Sequence, residues 1–393
     1  MTQGIFDGFE ELIASRRELY KHYDTKVRIA LPESAKMDSN ITELKYKIEQ
    51  GTGIRFDAAL LGEHSEASSD QMRVSHRQRA TGRLPEQGLD ETAMADFVLE
   101  NYTDKLTISV PDGTDLLANV LVAADLSAMP YIEISVGNGS RLELLEWFAS
   151  SGADMAPLQI VHVGTGAKAD ISIVHNETET AHVYMISSAV TGADSELCIN
   201  SAYAGAAETK SATFAEADGA RSAIRLNSII VGSGMQSFDI SAVTRNIGRE
   251  TRTEAKTGSV LFDKAKCTTK DFAKVDKVAE GAYTYVEERG LLLGEASRFT
   301  PLPDMSIDTR NVSFASHSAS STPIDEKQAF YMMSRGLEHS EAVHSLAIAF
   351  LMKYLSGISS ATAKEIAASI ARNKIIAGNV SEVPELSAAK IWQ

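Results

Sequence analysis

Cysteine is nearly absent: the 393 residues hold two, Cys198 and Cys267, far apart in the chain. That excludes a disulfide framework and any CxxC metal motif. A surplus of basic residues is missing too. The formal net charge is -15, and phosphate backbones are held by clustered Lys and Arg, so no nucleic-acid partner is expected. No window approaches the ~18 apolar residues of a membrane span, so no membrane role is expected. There is no G-x-x-x-x-G-K-[ST] stretch and hence no phosphate-binding loop for ATP. The opening MTQGIFDGFEELIASRRELY lacks an apolar run followed by a cleavage site, so no signal peptide is expected. The expectation is a soluble, cytoplasmic protein.

What is present is ordinary in amount, 44% hydrophobic and 23% charged, enough for a large core and two or three domains. Ile5, Phe9, Leu12, Ile13 and Tyr20 fall near helical spacing, which predicts an amphipathic helix over 5–21. A second helical stretch is predicted around 92–101. The polar segment 62–90 predicts a loop; its His64 and His76 fit solvated positions better than metal ligands. From about 105 the chain turns into short β-branched runs such as LTISV and YIEISV, each broken by a Gly-centred turn. Gly164, Gly192 and Gly219 follow at separations of 28 and 27 residues. A period of that size marks a stacked repeat, so a β-solenoid is predicted across roughly 105–322, with an ordinary β-sandwich as the alternative.

After Pro323 the pattern becomes helical. Asp325 with Gln328 three residues on forms a capping signal, and Phe330, Met333 and Leu337 follow on one side. Gly336 stands where a helix end often needs a left-handed residue. Further helices are predicted over about 340–355 and 361–373. Three short helices cannot build a sizeable core alone, so they must pack on the solenoid, on a partner, or on both.

In this region the sequence IDEKQAFYMMSRGL, then SEAVHSLAIAFL, resembles the C-terminal part of the SufB/SufD family of iron–sulfur cluster assembly scaffolds. That family carries a small/His/small stretch, a DE-x-Q-x-FY-x-x-SRG helix and an E-A-x-x-L helix. Here these fall on Ser316-His317-Ser318-Ala319-Ser320-Ser321, then Asp325, Glu326, Gln328, Phe330, Tyr331, Ser334, Arg335 and Gly336. The likeness is specific over about 313–352, moderate over 220–312 and weak before that. It implies an N-terminal helical region (1–104), a right-handed parallel β-helix (105–322) and a C-terminal helical domain (323–393). It also implies a SufC-like ABC ATPase as partner, so ATP hydrolysis would come from another polypeptide and this chain would be a scaffold rather than an enzyme. The C-terminal helices would dock that ATPase, with Phe330, Met333, Arg335, Leu346 and Phe350 as candidates. The scaffold would pair with itself as a homodimer, or with a second SufB/SufD-like subunit. Its cargo would be a transient iron–sulfur cluster of the 4Fe-4S type. Flavin is a theme of the family, but no motif for it stands here.

The same resemblance places His317 on the family's interface histidine, the best candidate cluster ligand, since His substitutes for thiolate. Ser318 stands where catalytic scaffolds carry a carboxylate. A match through LLLG puts Glu288 where they carry a cysteine. Glu287, Glu288 and Glu295 crowd within nine positions. As hard oxygen ligands they would bind iron labilely, although a solvated acidic edge is the more common reason for such a group. On one strand, 287 and 295 would share a face and 288 would oppose them. Cys198, in SELCINSAY, fits a buried core position. Cys267, beside Lys264, Lys266 and Lys270, is expected to have a lowered pKa and a reactive thiolate. In the family's terms both are candidates for sulfur relay. Two alternatives stay open: a SufD-like structural subunit without a cluster site, and a β-solenoid carbohydrate-active enzyme with Asp, Arg or Lys clustered along one face.

Overall fold

The computed structural model describes residues 72–76 and 91–378, except 125–126, 151 and 359–360. The helix expected at 5–21 and most of the segment 62–90 lie outside the described residues. Five residues of that segment do not form the expected loop but a strand, β1 (Met72–His76). Then come α1 (Glu91–Asn101), β2 (Asp104–Val110), β3 (Asp115–Ala124), β4 (Pro130–Val136), β5 (Arg141–Ser150) and β6 (Leu158–Val163). The middle coils hold β7 (Lys168–His175), β8 (His182–Thr191), β9 (Glu196–Tyr203), β10 (Glu208–Ala217), β11 (Ala223–Gly232) and β12 (Ser237–Asn246). The last are β13 (Arg252–Leu261), β14 (Lys266–Thr269), β15 (Phe272–Val275), β16 (Ala282–Leu292), β17 (Arg298–Pro301), β18 (Asp304–Ile307) and β19 (Val312–Pro323). Helices α2 (Glu326–Met333), α3 (His339–Leu355) and α4 (Ala361–Ala377) follow.

Each coil contributes to two sheets, an 11-stranded one that begins with β1 and β2 and an 8-stranded one running from β3 to β19; in the last coils β14 and β15, and β17 and β18, are successive strands of the 11-stranded sheet. Apart from the antiparallel β1–β2 pair, neighbours are parallel. This is a solenoid of about 7 turns. The parallel pairing decides against a sandwich, whose sheets are antiparallel.

The coil corners explain the period. In each, a glycine is followed two residues later by a left-handed residue and three residues later by a small or hydroxyl side chain. The corners are Gly137-Gly139-Ser140, Gly164-Gly166-Ala167, Gly192-Asp194-Ser195, Gly219-Arg221-Ser222 and Gly248-Glu250-Thr251. The hydroxyl closes the turn on the glycine carbonyl, at 2.6 Å for Ser195, 2.8 Å for Ser222 and 3.0 Å for Thr251. The leading glycine has no room for a side chain: a Cβ on Gly219 would lie 1.9 Å from the Ala193 amide nitrogen.

Inside the first coils the sheets face each other with Leu106, Ile108, Val120, Ile132, Ile134, Leu144 and Ile171. Along one inward row the register runs Glu146, Ile173, Ser201, Ser228, Thr257, Glu288 and Ala319. The row thus carries a fully buried glutamate in an early coil, Glu146, and another in the penultimate strand of its sheet, Glu288. Outside, α1 covers the 11-stranded sheet through Met94, Ala95 and Val98. The C-terminal helices lie along the outer face of the 8-stranded sheet: Val343, Ala347, Leu351, Tyr354, Ala367 and Ile375 pack on Val174, Ile229, Val260, Phe262 and Leu291. Asp325 caps α2 by accepting from the amides of Lys327 (2.9 Å) and Gln328 (3.3 Å). Gly336, at φ +100, is the left-handed residue after that helix.

Gly139→Ala and Gly219→Ala separate the two demands of the corner. A Cβ on Gly139 meets nothing within 4 Å, so its cost is the left-handed backbone alone, about 1 kcal/mol. Gly219→Ala also forces backbones apart and should cost more than about 4 kcal/mol, in the range of severe core lesions. Denaturant unfolding of both variants measures this; equal costs would contradict the corner geometry.

Candidate functional site

Strand β16 carries the two adjacent acids and lies one strand inside the sheet edge. Parity sends Val286 and Glu288 inward and Glu287 outward. Glu288 is fully buried. Its Oε1 accepts the Asp271 amide hydrogen at 2.9 Å, and its Oε2 has no hydrogen-bond partner among the described residues. Asp271, equally buried, accepts from the Ala242 amide and the Thr257 hydroxyl, both at 3.0 Å. Burial, then the charge of Asp271, pushes the Glu288 carboxyl well above the usual range.

His317 sits on β19 opposite Val286, and Ala319 is opposite Glu288. His317 and Glu288 therefore project to the same face from neighbouring strands, one diagonal step apart, roughly 7–8 Å between Cα positions. His317 is exposed and Glu288 is not.

The other expected ligands part company. Glu295 does not share a strand face with Glu287: β16 ends at Leu292, and Glu295 lies exposed in the turn beyond. Glu287 is a joint rather than an open ligand. Its Oε1 accepts from Lys353 Nζ (2.5 Å) and Tyr354 Oη (3.2 Å) of α3. Its Oε2 accepts from Tyr285 Oη (2.9 Å) and pairs with Arg289 (3.3 Å). Burial pushes Glu287 up, but these hydrogen bonds outweigh it and hold the carboxyl below its ordinary value.

The expectation for Cys267 is overturned. Its thiol points inward among Tyr203, Phe238 and Phe299, and burial, then the nearby Asp239, Glu288 and Asp271 charges, pushes it well up. Its lysine neighbours act elsewhere: Lys264 and Lys266 are exposed, and Lys270 pairs with Asp239 at 2.8 Å. Cys198 is a buried residue, as expected, on the outer face of β9 beneath the α3–α4 turn. Burial lifts its thiol to about 11. The two cysteines thus occupy opposite faces of different sheets. Asp271 was missed by sequence reasoning, although Cys267, Thr269 and Asp271 alternate at the spacing of one strand face.

Of the expected docking residues, Arg335 is exposed and its guanidinium lies over the Tyr331 ring, 5.1 Å from its centre. Phe330 and Met333 are half-buried. Leu346 and Phe350 pack against the core shared with the solenoid. Among the described residues no group of three or more His, Cys, Asp or Glu is placed to hold a metal ion, and no helix is long and apolar enough to cross a membrane.

Residues 119–350 match the family model described as SUF system FeS cluster assembly, SufBD core domain. The chain belongs to that family. It is 23% identical over 245 residues to an iron-sulfur cluster assembly SufBD family protein of Pyrococcus horikoshii, covering 60% of this chain and 53% of that one. It is 26% identical over 147 residues to the iron-sulfur cluster assembly protein SufD of Bacillus subtilis (37% of this chain, 33% of SufD). To SufB of the same organism it is 27% identical over 140 residues (36% of this chain, 30% of SufB). The matches thus span about half or less of each relative's length.

The raised Glu288 carboxyl has a definite consequence for stability. Unfolded, it loses its proton near the ordinary glutamate value; folded, it keeps it, so stability falls as pH rises between the two values. Glu288→Gln keeps the shape without the titration. The variant should match the wild type near pH 4 and exceed it in stability by more than about 1 kcal/mol near pH 9, one pK unit being worth about 1.4 kcal/mol. Denaturant melts at both pH values check this; a wild type that gains on the variant as pH rises would contradict it.

Proposed function

We propose that this chain is a scaffold subunit on which iron and sulfide are assembled into a cluster at an interface formed by its last strand. The observation that carries the reading is β19. It is a terminal strand of its sheet, 12 residues long and mostly exposed. Its sequence, VSFASHSASSTP, holds no charged residue and no proline before the last position. An edge so unguarded is what strand addition uses. A second copy, or a second SufB/SufD-like subunit, pairs along it and brings a second set of side chains to His317.

The cluster is cargo, of the 4Fe-4S type, held transiently. His317 supplies a neutral imidazole. Glu288 serves only after giving up its proton and its bond to Asp271, so iron binding there releases a proton and is favoured as pH rises. A ligand so costly to recruit suits a cluster that is passed on. Glu287 and Glu295 take no part. Cys267 receives sulfur only if the last coils loosen, and Cys198 only if the α3–α4 turn lifts from β9. A SufC-like ABC ATPase docks on residues 323–393, at Arg335, Phe330 and Met333, and supplies that motion by ATP hydrolysis in the cytoplasm; the chain itself catalyses nothing. Family membership sets aside the carbohydrate-active alternative. The SufD-like structural reading keeps one specific support: Glu288, at the family's cysteine position, is buried and hydrogen-bonded.

Anaerobic reconstitution with iron and sulfide, in the presence of the ATPase subunit, tests this. Charge-transfer absorbance should develop in the wild type. In His317→Ala, retention of iron should fall at least about tenfold, the low end for lost metal-site partners. No absorbance from an intact complex would leave the structural reading in its place.

A further inference from the structure

The outward neighbour of the proposed ligand, Glu287, collects cationic and hydroxyl donors from two different elements. Lys353 and Tyr354 reach it from α3, and Tyr285 and Arg289 reach it from β16 itself. Tyr285 Oη also faces Ser318 Oγ of β19 at 3.4 Å. Glu287 and Ser318 are register partners, so the Glu287 backbone stands one strand spacing, about 4.8 Å, from the edge strand. A continuous polar path therefore runs from α3 through Glu287 and Tyr285 to the strand that carries His317.

We infer that Glu287 is a positioning residue that couples a load on the C-terminal helices to pairing at the β19 edge. The inference rests on the scaffold reading above and adds the residues through which the ATPase and the interface communicate. The two-state element is the Tyr285 hydroxyl. With α3 seated, Glu287 is anchored at Oε1 and Tyr285 donates to Oε2; Ser318 can then donate to Tyr285. When α3 shifts, Lys353 and Tyr354 withdraw and a buried carboxylate loses two of its donors. Leaving such a group under-satisfied is expensive, so the carboxylate follows its remaining partners or α3. In either case the Tyr285 donor direction, and with it Ser318 on the edge strand, is re-set. Coupling of this kind is reciprocal: pairing at β19 biases the seating of α3 to the same extent.

The experiment uses the full chain and the ABC ATPase subunit of the same assembly system. The dissociation constant for pairing at β19 is measured by sedimentation with and without saturating ATPase. In the wild type the ATPase should change that constant by about 5–150-fold, the usual range for coupled sites. Glu287→Gln and Tyr285→Phe should both collapse the ratio toward one. Tyr285→Phe keeps the Lys353 ion pair and the ring packing, so it reads the relay where Glu287→Gln fails to fold. A merely structural role would lower the melting temperature and leave the ratio unchanged. A wild-type ratio preserved in Tyr285→Phe overturns the inference and leaves the scaffold reading standing. A wild type that neither pairs nor binds the ATPase overturns both.

Discussion

The hydrogen-bond ladder of a parallel solenoid satisfies each coil through its neighbours and leaves the last coil half-satisfied. In this chain that deficit falls on β17, β18 and β19, whose outward-pointing amides and carbonyls face no further strand among the described residues, and β19 is the longest of the three. The rest of the molecule is arranged around that edge. The corners keep the coils in register, so that β19 stays parallel to β16 over nearly its whole length. The helices cover the outer face beside the edge and leave the edge itself bare.

Two adjacent acids show how the strand's two faces divide the work. Glu288 turns into the solenoid interior, where burial and the neighbouring Asp271 push its carboxyl well above the usual range. Glu287 turns out beneath α3 and is held ionised by a lysine and two tyrosines. One residue of strand separates a proton store from a mechanical joint, and the difference comes entirely from which surface lies over each face.

Much of the fold was legible in the sequence because its causes are local. The Gly164, Gly192 and Gly219 spacing comes from a turn that closes on itself within four residues, and the Asp325 cap acts within one helical turn. The fates of Glu287, Glu288 and Glu295 were not legible, since they depend on where β16 ends and on α3, whose Lys353 meets Glu287 across 66 residues of chain. Cys267 misled for a related reason: lysines beside it in sequence point to the opposite face of the strand or into a turn, and proximity along the chain is not proximity in space. His317 became a candidate through its family resemblance, and only the register showed that it shares a face with Glu288.

Hydrogen exchange across residues 312–323 tests most directly the claim that β19 is a pairing edge. About half of its amides point away from β16 and are protected only by another strand. Protection of those amides should rise with protein concentration, or on adding a second SufB/SufD-like subunit, while the amides bonded to β16 stay protected throughout. Rapid exchange of the outward amides under every such condition would contradict it.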